Sequence, residues 1–155
     1  MFDAFFVRRL KSPLAFAAKP LDAAGIKATQ VTLIGAVIGL AAAILIAADA
    51  LLLGGLLFLM NRLFDGLDGA LARQQGPTEQ GAFLDITLDF LIYSAIPFAF
   101  AVRDPDVALA AAFLLFSFVG TGSTFLAFSI FATRHGLENE SLKDKSICYL
   151  PRLHE

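Results

Sequence analysis

Four aspartates fall into two pairs, Asp65 with Asp68 and Asp85 with Asp89. On a helix, residues three or four apart share a face, so each pair presents two carboxylates in one direction. Residues 74–80 read as a short hairpin, which lets the two acidic faces oppose each other. The flanking residues are apolar, and an ionised Asp near the centre of a membrane helix costs roughly 2.5 to 3.5 kcal/mol even on a lenient scale. Four of them require compensating positive charge. An all-carboxylate oxygen site suits magnesium, manganese or calcium rather than zinc or copper. Four carboxylates suffice for a two-metal centre, which polarises phosphoryl oxygens and stabilises attacking and leaving oxygens together. Gly69, Ala72 and Gly81 lie among the aspartates and open room between packed helices, and Arg73 has the fork geometry that phosphates favour. A single Asp would be read as a helix cap or the wall of a polar cavity. Four in register are not.

The elements that carry these residues are membrane spans. The chain has 155 residues, 57% hydrophobic and 17% charged, with a mean hydropathy of +0.72. Ordinary globular domains are about half apolar and a quarter charged. Apolar segments cover 31–48, 50–64, 82–102 and 107–131. A bilayer takes roughly 20 helical residues. The second segment reaches that length only by running on through Asp65 and Asp68 to about Ala72, which puts those aspartates near the headgroups. Ala48, Asp49 and Ala50 make the first turn, and Arg103, Asp104, Pro105 and Asp106 separate the last two spans. The fold expected is all-α, a four-span transmembrane bundle. Phe2, Phe6 and Leu10, with Phe5, Arg8, Arg9 and Lys11 beside them, suit an amphipathic helix lying in the interface ahead of it. Three regions follow: an interfacial segment 1–25, a transmembrane domain 26–131 that is expected to be incomplete, and 132–155 as a polar cytoplasmic tail or a truncated loop. Gly35, Gly39 and Ala43 form a small-residue stripe for close helix packing.

The net charge of -2 and the absence of Trp, against sixteen Phe, argue against a nucleic-acid surface. The lone Cys148 has no partner for an intrachain disulfide. No cleaved targeting sequence is expected, because the apolar run 14–18 is shorter than a signal core of at least about seven residues. Of the twelve basic residues, eleven fall on one side of a four-span topology and Arg103 alone on the other. Positive charge is retained in the cytoplasm during insertion, so the N-terminus, the link between spans two and three, and the tail are expected there.

The pattern Asp65-x2-Asp68-Gly69-x2-Ala72-Arg73-x7-Gly81-x3-Asp85-x3-Asp89 resembles the signature of the CDP-alcohol phosphatidyltransferases, integral membrane enzymes of phospholipid synthesis. The resemblance covers residues 26–131. It implies that Asp65, Asp68, Asp85 and Asp89 bind two divalent ions, magnesium or manganese, and that Asp89 is also the general base on the acceptor hydroxyl. It further implies that Gly69, Ala72, Arg73, Thr78 and Gly81 contact the CDP-linked lipid donor. Thr29 and Thr32 join them, although Thr29 stands where many members have Asn and Ala28 where they have Pro. The loop before Gly81 is one residue shorter than in many members. Members usually have six spans against four here: either the last two were lost or the chain is a fragment, and if they are absent a pocket lined by them is expected to be open.

The expected function is transfer of a phosphatidyl-type group from the CDP-lipid to an alcohol or sugar-phosphate acceptor, with release of CMP. A bacterial-type cell membrane is the expected location, with the bilayer and a second copy of the chain as further partners. Two rival readings remain at this level: another metal-dependent lipid pyrophosphate enzyme such as a prenyltransferase, and a cation transporter with an acidic site. His135, Arg134 and Lys143 are candidates for contacting an acceptor phosphate, with plain surface solvation an equal reading of each.

Overall fold

Helix breakers fall where the sequence changes direction, and they divide the described residues into five helices. The structure, a computed structural model, describes residues 2–135, with side chains for 13–132, 134 and 135. In order these are α1 (Phe2–Ala23), α2 (Ala28–Ala47), α3 (Leu51–Gln75), α4 (Glu79–Arg103) and α5 (Ala108–Arg134), with a 3-10 turn (Pro105–Val107) before α5. The apolar segments of the sequence thus become α2 to α5. The 1–25 segment carries the helix α1, whose side chains before Pro13 lie outside the described residues. Most of the expected tail, including Lys143 and Cys148, also lies outside them, while its first residues continue α5.

Among the described residues, three stretches are long and apolar enough to cross a membrane: α2, α4, and the 3-10 turn with α5. The 25 residues of α3 are also long enough, about 37 Å at 1.5 Å per residue, but Arg62, Asp65, Asp68 and Arg73 lower its hydropathy. The bundle's outer surface is hydrocarbon. Leu52, Leu109 and Phe116 are each more than 70% exposed, an arrangement that suits lipid rather than water.

Helix α2 is the hub of the bundle. It packs along both α3 and α4, whereas the backbones of α3 and α4 stay apart and meet through side chains such as Arg62, Asp89 and Tyr93; α1 lies on α3, and α5 lies on α4. The small-residue stripe makes this possible. A Cβ on Gly39 would lie 2.8 Å from Ile92 Cδ1 of α4 and 3.0 Å from Asn61 Nδ2 of α3, so the hydrogen atom there lets two helices approach a third.

The hairpin between α3 and α4 is shorter than the expected 74–80. Both helices continue until Gly76, at φ +89°, and Pro77 force the chain round. Thr78 then caps α4, its Oγ1 accepting from the Gly81 N–H at 3.1 Å. On the opposite face of the bundle, Asp49 turns the chain with a φ of 68° and pairs with Arg103, which ties the α2–α3 turn to the end of α4.

Candidate active site

Because α2 holds α3 and α4 apart, a space remains between the two acidic helices. Asp65 and Asp68 project into it from α3, and Asp85 and Asp89 from α4. All four line one narrow crevice of about 10 Å³, closed by Gly35, Asn61, Leu88 and Ile92. That is room for a water or one ion within the crevice itself, which opens to wider space on the side of Thr32, Asp68 and Asp85. One carboxylate oxygen each from Asp65, Asp68 and Asp85 lies within 4.8 Å of the others. Asp68 is 4% exposed, and its Oδ2 has no hydrogen-bond donor among the described residues. A buried carboxylate oxygen without a donor is costly unless a cation completes it. Three converging hard oxygens with such an orphan fit a hard divalent cation, magnesium or manganese.

A wider cleft of about 470 Å³ opens next to the crevice and shares Thr32, Asp68 and Asp85 with it. That volume is in the range of small-molecule sites. Thr29, Thr32, Gly69, Ala72, Thr78 and Gly81, which the family resemblance implies as donor contacts, all line it. A Cβ on Gly69 would meet nothing closer than Arg73 Nη1 at 3.5 Å, so Gly69 leaves the α3 wall low. Arg73 is exposed and lies over Gly69 at the rim rather than in the lining. His135 and Arg134 are exposed at the end of α5, where His135 stacks on Phe131, and neither lines the cleft.

The entrance is braced by a residue that pattern reading did not find. Gln75 Nε2 donates to Ile26 O at 2.7 Å and to Asp22 Oδ1 at 3.0 Å, while its Oε1 accepts from Ala28 N–H at 3.1 Å. The end of α3, the end of α1 and the start of α2 are thereby held together beside Thr29. Gln74 adds a bond to Ala15 O at 2.8 Å.

Arg62 corrects the orientation count. It was grouped with the cytoplasmic basic residues, but it lies one turn inward of Asp65 and donates to Asp89 Oδ1 at 3.0 Å. It is an internal ion-pair partner, and the basic residues then divide ten against one. Asn61 and Tyr93 complete its surroundings and were likewise missed. The available signal was a charged residue inside an apolar span, which by itself points to function.

The sequence pattern of the CDP-alcohol phosphatidyltransferases matches residues 26–146, and the chain belongs to that family. It is a membrane transferase of phospholipid biosynthesis by class, and this takes the place of the prenyltransferase and transporter readings. Inner membrane protein YnjF of Escherichia coli (strain K12) is 44% identical over 156 aligned positions, covering all of this chain and 76% of that protein. Archaetidylinositol phosphate synthase of Pyrococcus horikoshii is 37% identical over 95 residues, 61% of this chain and 50% of that one. The protein of the same name from Methanothermobacter thermautotrophicus is 37% identical over 86 residues, 55% and 41% respectively. The match thus spans half or less of each archaeal synthase. No solved structure matches the chain.

Proposed function

We propose that the chain moves a phosphatidyl-type group from a CDP-linked lipid to an alcohol and releases CMP. The observation that carries this is the continuity of the cleft with the four-aspartate crevice through Thr32, Asp68 and Asp85. Asp65, Asp68, Asp85 and Asp89 are the residues that would hold two divalent ions. Bound there, such ions neutralise the charge of the pyrophosphate and of the departing CMP.

Thr29, Thr32, Thr78 and the backbone at Gly69 and Gly81 offer hydroxyls and close approach for the donor's CDP portion, with Ala72 beneath it. Arg73 at the rim meets the donor's phosphate as it enters. The acceptor oxygen attacks the phosphorus attached to the lipid, and the bond from that phosphorus to the bridging oxygen breaks. Asp89 takes the hydroxyl proton as the new bond forms. Such a positioned base typically contributes about 10² to 10⁴ in rate. The excess of basic residues around the cleft's end of the bundle supports a cytoplasmic mouth.

A panel of labelled acceptors, offered with CDP-linked lipid and magnesium, tests this reading. Inositol phosphate leads the panel because two relatives are named archaetidylinositol phosphate synthases. Glycerol phosphate, serine and choline complete it. One acceptor should enter a lipid product in step with CMP. Failure of every acceptor to yield a lipid product would refute the reading.

A further inference from the structure

Asn61, Arg62 and Tyr93 take part in no step above, yet they are wired into the acidic crevice. Arg62 Nη2 donates to Asp89 Oδ1 at 3.0 Å, and Nη1 lies 3.7 Å from Asp65 Oδ2. The guanidinium therefore bridges two carboxylates from opposite walls, one on α3 and one on α4. Oxygens of Asp65, Asp68 and Asp85 gather among themselves, and Asp89 stands outside that group.

Arg62 has a second set of partners, all neutral. Its Nε and Nη2 donate to Asn61 Oδ1 at 3.0 and 2.7 Å, and Nη1 donates to Tyr93 Oη at 2.6 Å. Its guanidinium carbon lies 4.7 Å from the Tyr93 ring centre and 5.6 Å from that of Phe58, within cation–π range. Asn61 is itself fixed, 3% exposed and donating to Gly35 O at 2.9 Å. These contacts keep Arg62 at the crevice whether or not it holds Asp89. A dication brought to Asp89 competes for the same oxygen and is repelled by the guanidinium a few Å away.

We propose that Arg62 is the resident cation of the Asp65/Asp89 half of the site and that it sets the order of metal loading. The inference rests on the metal-dependent reading above. The first ion goes to Asp65, Asp68 and Asp85. The second must draw Asp89 from Arg62, which stays on Asn61 and Tyr93, so the two ions bind with unequal affinity.

The test is a Mn2+ titration of the full chain in detergent, with free Mn2+ followed by electron paramagnetic resonance. Wild type should show two classes of ion, the second weaker by about tenfold or more, as for coupled charges in one network. Arg62→Gln should tighten the second class by about tenfold and, without metal, melt below wild type because Asp89 has lost its partner. Arg62→Met, which keeps the packing of the stem, gives the same readout if the Gln variant does not fold. Unchanged or weaker second-class binding in both variants overturns the role of Arg62 alone. No Mn2+ binding by wild type overturns the metal reading and this inference with it.

Discussion

The side-chain oxygen of Gln75, the last residue of α3, accepts a hydrogen bond from the N–H of Ala28, the first residue of α2, at 3.1 Å. With the bonds from Gln75 Nε2 to Ile26 and Asp22, this joins three chain segments at the mouth of the cleft, next to Thr29. Each such bond contributes about 0.5 to 1.5 kcal/mol net. Gln75→Ala should raise KM for the CDP-lipid about threefold to tenfold and leave kcat nearly unchanged, the pattern of lost uniform binding. Steady-state kinetics with varied donor checks it, and a fall in kcat with constant KM would count against the brace.

Asp68 is predicted to have opposite effects on the metal-free and metal-loaded protein. Its Oδ2 is buried without a donor among the described residues. Asp68→Asn removes a poorly compensated buried charge and supplies an amide that can donate to neighbouring carboxylates. Without metal the variant should melt about 2 °C or more above wild type, and the stabilisation by magnesium should largely vanish. Melting curves with and without magnesium decide this. A lower metal-free melting point with an intact magnesium shift would show that Asp68 is not a ligand.

The hub role of α2 gives a packing prediction with an internal control. A Cβ on Gly39 would press on Ile92 and Asn61, whereas one on Gly55 would meet nothing within 4 Å. Gly39→Val should cost about 1 to 3 kcal/mol of stability, as overpacking does. Gly55→Val should stay within about 0.5 kcal/mol of wild type. Equal effects in detergent unfolding would mean that α2, α3 and α4 do not meet at Gly39.

Topology is testable with single cysteines at Gly76 and Asp104 in a chain whose Cys148 is replaced by Ser. Gly76 lies at the mouth of the site and Asp104 at the opposite end of α4. The ten-to-one division of basic residues predicts labelling of Gly76 from the cytoplasmic side and of Asp104 from the other. Labelling from one side only would overturn the four-span arrangement.

The helices and the acidic register were legible in the sequence because each rests on local rules. Long apolar runs marked the spans, the second only by continuing through Asp65 and Asp68, and the spacing of Asp65, Asp68, Asp85 and Asp89 fixed their faces. What could not be read was the separation of α3 from α4. It depends on α2 packing Gly39 against Asn61 of α3 and Ile92 of α4, contacts remote in sequence. Arg62 was misread for a related reason. Its charge counts equally toward orientation wherever it lies in the helix, and only the approach of Asp89 across the crevice at 3.0 Å shows that it is spent internally. Gln75 likewise looks like an ordinary polar residue at a helix end until its partners near residues 22–28 are in view.

In the proposed reaction these carboxylates would hold the metal ions while the acceptor attacks the CDP-linked lipid and Asp89 takes its proton. That reaction is tested most directly by measuring CMP release at saturating donor and acceptor together with equilibrium binding of the CDP-lipid, both in magnesium. Wild type should release CMP only when acceptor and metal are present. Asp89→Asn should keep donor binding within several-fold, because Asp65, Asp68, Asp85 and Arg73 remain, while turnover falls by about 10² or more. Binding lost in proportion to rate would leave Asp89 as a metal ligand only. CMP release by wild type that needs no metal, or full turnover by Asp89→Asn, would contradict the account.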